Sequence, residues 1–395
     1  PVTPPPTTPI ENAPGTIQAS APVVNDAGVA STTIDADELT KALETLNTVI
    51  IIVPNAEGAS AYEAVFTESA LLSENASKKI VIETELGKVS VPGNMLTPLD
   101  VKGAQRVSLT IAKADTNVVI DTSVKSQIGV RPVVELNVNI NGSRITWSNP
   151  EAPVTVEIPY TPTAAELADP KHIVVWYIDE AGKAVAVPTG KYDSATGKVT
   201  FKTTHFGNYA VAYVKKSFSD IGEYSWARRA IEVMASKGVI NGTSETTFNP
   251  SADITRADFI LMLVKALGLS AKTQGNFADV SSSAYYAEAL ATAKALGITA
   301  GVGNNKFNPN AKITREDMMV LAARAMNKAG KPLANASASE LKGYSDSAQI
   351  SGYALNDVAA LIKAGIIKGS GNSINPKGTA TRAEVAVVIY NLYNR

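Results

Sequence analysis

"FNPSADITRADF", residues 248–259, returns as "FNPNAKITREDM" at 307–318 and as "INPKGTATRAEV" at 374–385. With Phe218, Phe277 and Tyr344 aligned, the residue 30 positions on is Phe248, Phe307 and Ile374, and 38 positions on it is Arg256, Arg315 and Arg382. Such a period predicts stacked supersecondary repeats, each burying its apolar face against its neighbours. Every repeat reads as an aromatic-x-Asp start (Asp220, Asp279, Asp346), an amphipathic helix, a loop with Asn-Pro, and a second helix opening at Thr-Arg.

Thr255, Thr314 and Thr381 take the N-cap position of the second helices. Asp258, Asp317 and Glu384 follow three residues later, the spacing of a capping box. Phe259, Leu263, Ala266 and Leu267 then form a buried stripe. The arginine directly after each threonine breaks the local rule, because the first turn of a helix carries partial positive charge. A guanidinium beside helix N–H groups can grip a carboxylate or phosphate bidentately. The alternative is structural, each arginine pairing with the Asp at the start of its own repeat.

At these residues the chain resembles the S-layer homology family, whose modules anchor exported proteins to the envelope of Gram-positive and some other bacteria. The resemblance runs from Phe218 to the C-terminus. It rests on aromatic-x-Asp, the pairs Trp226-Ala227, Tyr286-Ala287 and Tyr353-Ala354, the glycines Gly238, Gly297 and Gly365, the Phe-x-Pro loop and Thr-Arg-x-acid. It implies three SLH repeats, at 217–276, 277–335 and 336–395, forming an all-α pseudo-threefold trimer with a central helix bundle and grooves between repeats. It also implies non-covalent binding of secondary cell-wall polysaccharide on the peptidoglycan-linked wall, through a pyruvylated N-acetylmannosamine whose ketal carries a carboxylate.

On that resemblance the ligand-binding candidates are Arg256, Arg315 and Arg382 for the carboxylate, with Asp220, Asp279 and Asp346 in the same set. Trp226, Tyr285 or Tyr286, and Tyr353 would offer ring faces or core packing, and Gly242, Gly301 and Gly369 would let the sugar approach the backbone. The third repeat departs from the pattern at Ser347, Ile374 and Gly378-Thr379-Ala380, so the first two arginines are expected to bind.

Upstream the period changes. Residues 1–33 are rich in Pro, Thr, Ala and Ser and read as a linker. From 34 to 216 runs such as "KKIVIETELGKVSVP" and "PVVELNVNINGSRITW" alternate apolar and polar residues between turn signals, among them Asn141-Gly142. They predict hairpins in two β-rich, sandwich-like modules, 34–125 (α+β if 36–45 and 62–76 are helices) and 126–216. This part resembles the β-rich modules that precede such repeats in envelope proteins, with a spacing role.

The bulk numbers exclude several classes. With 45% apolar and 18% charged residues the chain is ordinarily globular, and its longest apolar run, Val49 to Val53, is far below a membrane span. It starts without Met and reads as a mature or excised fragment. There is no cysteine, hence no disulfide or thiolate chemistry. Residues 1–217 carry 17 Lys/Arg against 23 Asp/Glu, and 218–395 carry 19 against 14. That imbalance is too small and too scattered for a nucleic-acid footprint. The two histidines, His172 and His205, stand outside any hydrolase, P-loop or dinucleotide motif, and no metal-binding loop is present. The sequence therefore predicts no enzyme, metal or cofactor, but an extracellular wall anchor for an upstream cargo. The alternative is a lattice protomer whose β modules self-associate while the repeats only tether it.

Overall fold

The computed structural model describes residues 15–66, 77–99 and 104–395. By contacts these divide into two compact units, one of residues up to 161 with 177–185 and 193–211, the other of 162–176, 186–192 and 212–395.

The first unit is built from mixed sheets. In one, the order is β1 (Thr16–Gln18), β4 (Thr48–Ile52), β6 (Lys79–Thr84), β7 (Gly87–Pro92), β11 (Val154–Pro159) and β15 (Lys198–Thr203). In the other it is β16 (Asn208–Tyr213), β9 (Val133–Ile140), β8 (Val107–Lys113), β5 (Ala61–Phe66), β3 (Val29–Thr33) and β2 (Val23–Val24), with β10 (Ser143–Ile145) on β9. Three further strands, β12 (Ile173–Ile178), β13 (Ala184–Val187) and β14 (Lys191–Asp193), precede β15 in sequence.

Predicted hairpins appear at β6–β7 and at β9–β10, where Asn141 (φ 50°) and Gly142 (φ 83°) make the turn. The helix at 36–45 also forms, as α1 (Ala36–Thr45), capped by Asp35. Other expectations fail. Residues 16–33 are not linker but supply β1, β2 and β3. Ala30 and Thr32 on β3 are buried beside β5, to which that strand pairs in parallel. Parallel pairs join strands distant in sequence, so no turn dipeptide announces them. The helix expected at 62–76 is strand β5 through Phe66, and the remainder lies outside the described residues. Nor does residue 126 divide two sheets, since β8 pairs with β9 along seven residues and β7 with β11. Two short helices, α2 (Thr122–Ile128) and α3 (Ala164–Ala168), complete the segment.

The repeats of the second unit are helical. The first helices are α4 (Ser225–Ser236), α6 (Ala287–Ala295) and α8 (Leu355–Lys363). The second helices are α5 (Arg256–Leu267), α7 (Arg315–Lys328) and α9 (Arg382–Asn394). Thr255, Thr314 and Thr381 cap the second helices as expected, each hydroxyl accepting from the amide three residues on. The reciprocal half of the box, a side chain returning to the threonine amide, is present only at Glu384. Aspartate is one methylene shorter, and Asp258 instead accepts from the Thr255 hydroxyl at 2.7 Å.

Immediately before the caps, three backbone segments hydrogen-bond in a ring. Ile254 N–H donates to Ala380 O (3.0 Å), Ala380 N–H to Ile313 O (3.2 Å), and Ile313 N–H to Ile254 O (3.2 Å). The three repeats thus close head to tail. Their apolar faces share one core, in which Phe248, Phe259 and Phe307 are fully enclosed.

Candidate functional site

The Asn-Pro loops are fixed within each repeat. Asn249, Asn308 and Asn375 sit in the left-handed region (φ 57°, 59° and 54°), which asparagine tolerates better than most residues. The aromatic-x-Asp carboxylates hold them there. Asp220 accepts from the amides of Phe248 (2.8 Å) and Asn249 (2.7 Å), Asp279 from those of Phe307 and Asn308, and Asp346 from those of Ile374 and Asn375. Partial burial pushes these carboxyls up, but the backbone donors outweigh it and hold all three below the ordinary aspartate range. These aspartates therefore anchor loops, and none forms an ion pair with the arginine of its own repeat.

The arginines reach across repeat boundaries instead. Arg256 Nε donates to Phe307 O (3.2 Å), and its Nη1 lies 3.0 Å from Asp317 Oδ2. Arg315 Nε donates to Ile374 O (2.7 Å), and its Nη1 lies 2.6 Å from Glu384 Oε1. Arg382 closes the cycle, its Nε on Phe248 O (2.8 Å) and its Nη2 on Asn241 O (2.7 Å). Carbonyl oxygens, carboxylates and, for Arg256 and Arg382, a phenylalanine face at 4.8 and 4.4 Å offset the unfavourable helix dipole.

The helix N–H groups expected to be free for an anion are used as well. The arginine amides donate to Ala311 O, Gly378 O and Ala252 O, each at 2.9 Å, and the next amides donate to Pro309 O, Pro376 O and Pro250 O. Any anion must therefore be met by side chains.

Two of the boundaries gather side chains from all three repeats. Tyr285 donates its hydroxyl to Asp258 at 2.5 Å, and Arg382 feels the charge of Asp258 there. Tyr353 donates to Asp317 at 2.8 Å, where Arg256 is paired. Trp226 is the corresponding aromatic of the first repeat, its ring 6.3 Å from that of Tyr224. The rings of Trp226, Tyr285 and Tyr353 are 56%, 71% and 59% exposed, so they are surface groups and not core. Tyr286 is half-buried against the core. Burial and the Asp258 carboxylate push the Tyr285 hydroxyl up to about 12, and burial with Asp317 raises that of Tyr353. Burial pushes the Arg382 guanidinium down.

Gly242, Gly301 and Gly369 face their own repeats. A Cβ there would stand 2.3 Å from Ser244 O, 2.2 Å from Lys306 O and 2.5 Å from Ser373 O, and close to the rings of Phe218, Phe277 and Tyr344. On the Cβ side these glycines are packed against their own repeat. The capping acids Asp258, Asp317 and Glu384 join the site without having been singled out as ligands. Their signal in the sequence, the third position of each helix, was absorbed by the cap. Among the described residues no group of three potential metal ligands is present, and no helix is long and apolar enough to cross a membrane.

Three helix–loop–helix repeats, joined by arginines and each carrying one exposed aromatic ring, follow the β-rich region. Residues 217–260, 276–319 and 343–386 each match the S-layer homology domain, so the C-terminal part of the chain consists of three members of that family.

The chain is 32% identical over 321 residues to an amylopullulanase of Thermoanaerobacterium thermosulfurigenes, covering 80% of this chain and 16% of that protein. It is 37% identical over 227 residues to the exoglucanase XynX of Acetivibrio thermocellus, covering 55% of this chain and 20% of the relative. It is 29% identical over 181 residues to the S-layer protein sap of Bacillus anthracis, covering 45% and 21%. The chain thus spans about a fifth or less of these relatives.

Proposed function

We propose that this chain is a wall-anchoring segment: its S-layer homology domains bind the cell wall from outside the cell and hold a surface protein there. The matches to that domain and the likeness to an S-layer protein support the anchoring role. The likeness to proteins named amylopullulanase and exoglucanase supports a cargo that varies while the anchor recurs. In this reading the chain itself has no catalytic role, and the β-rich unit spaces the anchor from its cargo.

At the finer level, the ligand is secondary cell-wall polysaccharide bearing pyruvylated N-acetylmannosamine. The ketal carboxylate meets a guanidinium between repeats and the sugar ring lies on an adjacent aromatic face. The three repeats turn about a pseudo-threefold axis through the Ile254–Ala380–Ile313 ring, with the second helices as the central bundle. The observation that carries the reading is the arginine at the first position of each second helix, which reaches across a boundary, with an exposed tyrosine on the same carboxylate or beside it at Arg256 and Arg382. Isothermal titration of the whole chain with synthetic pyruvylated N-acetylmannosamine, and with the same sugar lacking the ketal, tests it. Binding that requires the ketal is expected, and equal binding of both sugars, or of neither, overturns the carboxylate reading.

A further inference from the structure

The three boundaries repeat in sequence but not in charge pairing. At Arg256 the groove is closed by the chain itself. Asp317 takes Nη1 through one oxygen and the Tyr353 hydroxyl through the other, and Tyr353 also reaches the buried Glu316 at 3.3 Å. Glu316 in turn is held by Lys377 Nζ at 2.6 Å and by the amide and hydroxyl of Ser351, both at 3.0 Å. Arg256, Asp317, Tyr353, Glu316 and Lys377 form one continuous network in which every charge faces an opposite one. Its second ion pair is peculiar to this boundary, because the residues corresponding to Glu316 are Ala257 and Ala383. At Arg315 the guanidinium is likewise neutralised, by Glu384 at 2.6 Å, and both groups have little freedom since Glu384 also closes the capping box.

Arg382 differs. Its two hydrogen bonds go to backbone carbonyls, and among the described residues no carboxylate lies within 4 Å of it. The neighbouring Asp258 is engaged by Tyr285 on one oxygen and by Thr255 on the other. Nη1 of Arg382 makes no hydrogen bond among the described residues, as Nη2 makes none at Arg256 and Arg315, and Arg382 feels the charges of Asp258 and Asp220 and the Tyr285 hydroxyl. An incoming carboxylate at Arg256 or Arg315 meets a guanidinium that is already ion-paired, and has either to displace Asp317 or Glu384 or to sit beside that charge. At Arg382 it meets a guanidinium whose neighbouring carboxylates, Asp258 and Asp220, form no ion pair with it.

We infer that the groove of Arg382, Asp258 and Tyr285 is the receptor for a ligand carboxylate, while the Arg256 and Arg315 grooves are internal ion-pair locks that hold the ring closed. This inference rests on the anchoring reading above and reverses the preference for the first two arginines drawn from the sequence. It also places the receptor on an arginine from the repeat that departs furthest from the family pattern.

The test is titration of the whole chain with pyruvylated N-acetylmannosamine, native and as Arg256→Gln, Arg315→Gln and Arg382→Gln, beside fluorescence of the native protein. One site is expected, with affinity cut at least tenfold in Arg382→Gln and changed less than threefold in the other two once folding is confirmed by melting. Trp226, exposed and corresponding in sequence to Tyr285 and Tyr353, gives a readout that needs no arginine variant, and its iodide quenching is expected to stay constant through saturation. Loss of binding in Arg256→Gln or Arg315→Gln with retention in Arg382→Gln overturns the assignment but leaves the carboxylate reading standing. So does protection of Trp226 that saturates with the titration. Absence of binding to the native chain defeats the carboxylate reading itself, and the groove assignment with it.

Discussion

Arg256 Nη1 lies 3.0 Å from Asp317 Oδ2, and the two residues stand 61 positions apart on helices of different repeats. Asp317 stands at the third position of its helix, and its side chain, a methylene shorter than that of Glu384, does not return to the Thr314 amide, which leaves the aspartate oxygens for the neighbouring repeats. Its carboxylate therefore joins three repeats.

Asp317→Asn keeps the Thr314 cap and removes the charge. We expect a loss of about 1–3 kcal/mol, typical of a charge-assisted hydrogen bond, read as a lower urea midpoint with an unchanged slope. A double-mutant cycle with Arg256→Gln checks the source: the two losses should fall short of additivity by most of that amount. Additive losses would mean that the pair is screened and contributes nothing.

Lys237, at the C-terminal end of α4, is fully enclosed and donates to Ile173 O (3.1 Å) and Gly190 O (2.7 Å), with the Tyr393 ring 5.4 Å away. Burial, reinforced by Lys191 and Lys171, lowers its amine to about 7 from 10.5. The unfolded chain then holds more protons between those values, so stability should rise with pH from about 7 to about 10.5 and be least favoured below 7. Lys237→Met removes this dependence. The stability of the variant relative to native should be greatest near pH 7 and shrink towards pH 10, and parallel curves would refute the burial of a charge.

The loop-anchoring aspartates act in the opposite pH range. Asp220, Asp279 and Asp346 have carboxyls held below the ordinary value, so their stabilisation is present above that value and is lost as pH falls through the lower, folded one. Asp279→Asn leaves one oxygen for two amide donors, Phe307 and Asn308, and should cost about 1–2 kcal/mol at neutral pH. It should also flatten acid unfolding below about pH 4 relative to native. A variant with the native acid profile would show that these carboxylates do not differ between folded and unfolded chains.

The sequence carried the repeats because their signals are local: Thr at the cap, acid three residues on, Asn before Pro. What each arginine touches was not legible, because its partner is set by the order in which the repeats close. Arg315 finds Glu384 69 positions on, and Arg382 turns back 134 positions to Phe248. Pairing each arginine with the Asp of its own repeat was reasonable on distance along the chain, but two backbone amides claim that carboxylate first. The β-rich region was legible where hairpins join neighbours, as at Asn141-Gly142. It was not where β3 pairs with β5 and β4 with β1 and β6 in parallel, across intervening chain.

The glycines separate close packing from backbone freedom. Gly301 has φ 79°, and a Cβ there would stand 2.2 Å from Lys306 O and 2.7 Å from the Phe277 ring; Gly297 has φ 70° with nothing within 4 Å. Both positions are left-handed, so alanine at either costs about 1–2 kcal/mol of conformational energy. Only Gly301→Ala adds a collision with a carbonyl that cannot rotate away, and it should lose a further 2 kcal/mol or so. Thermal melts of the two variants decide the matter. A larger drop for Gly301→Ala is expected, and equal drops would show that the loop yields, which would reopen the backbone there to a ligand.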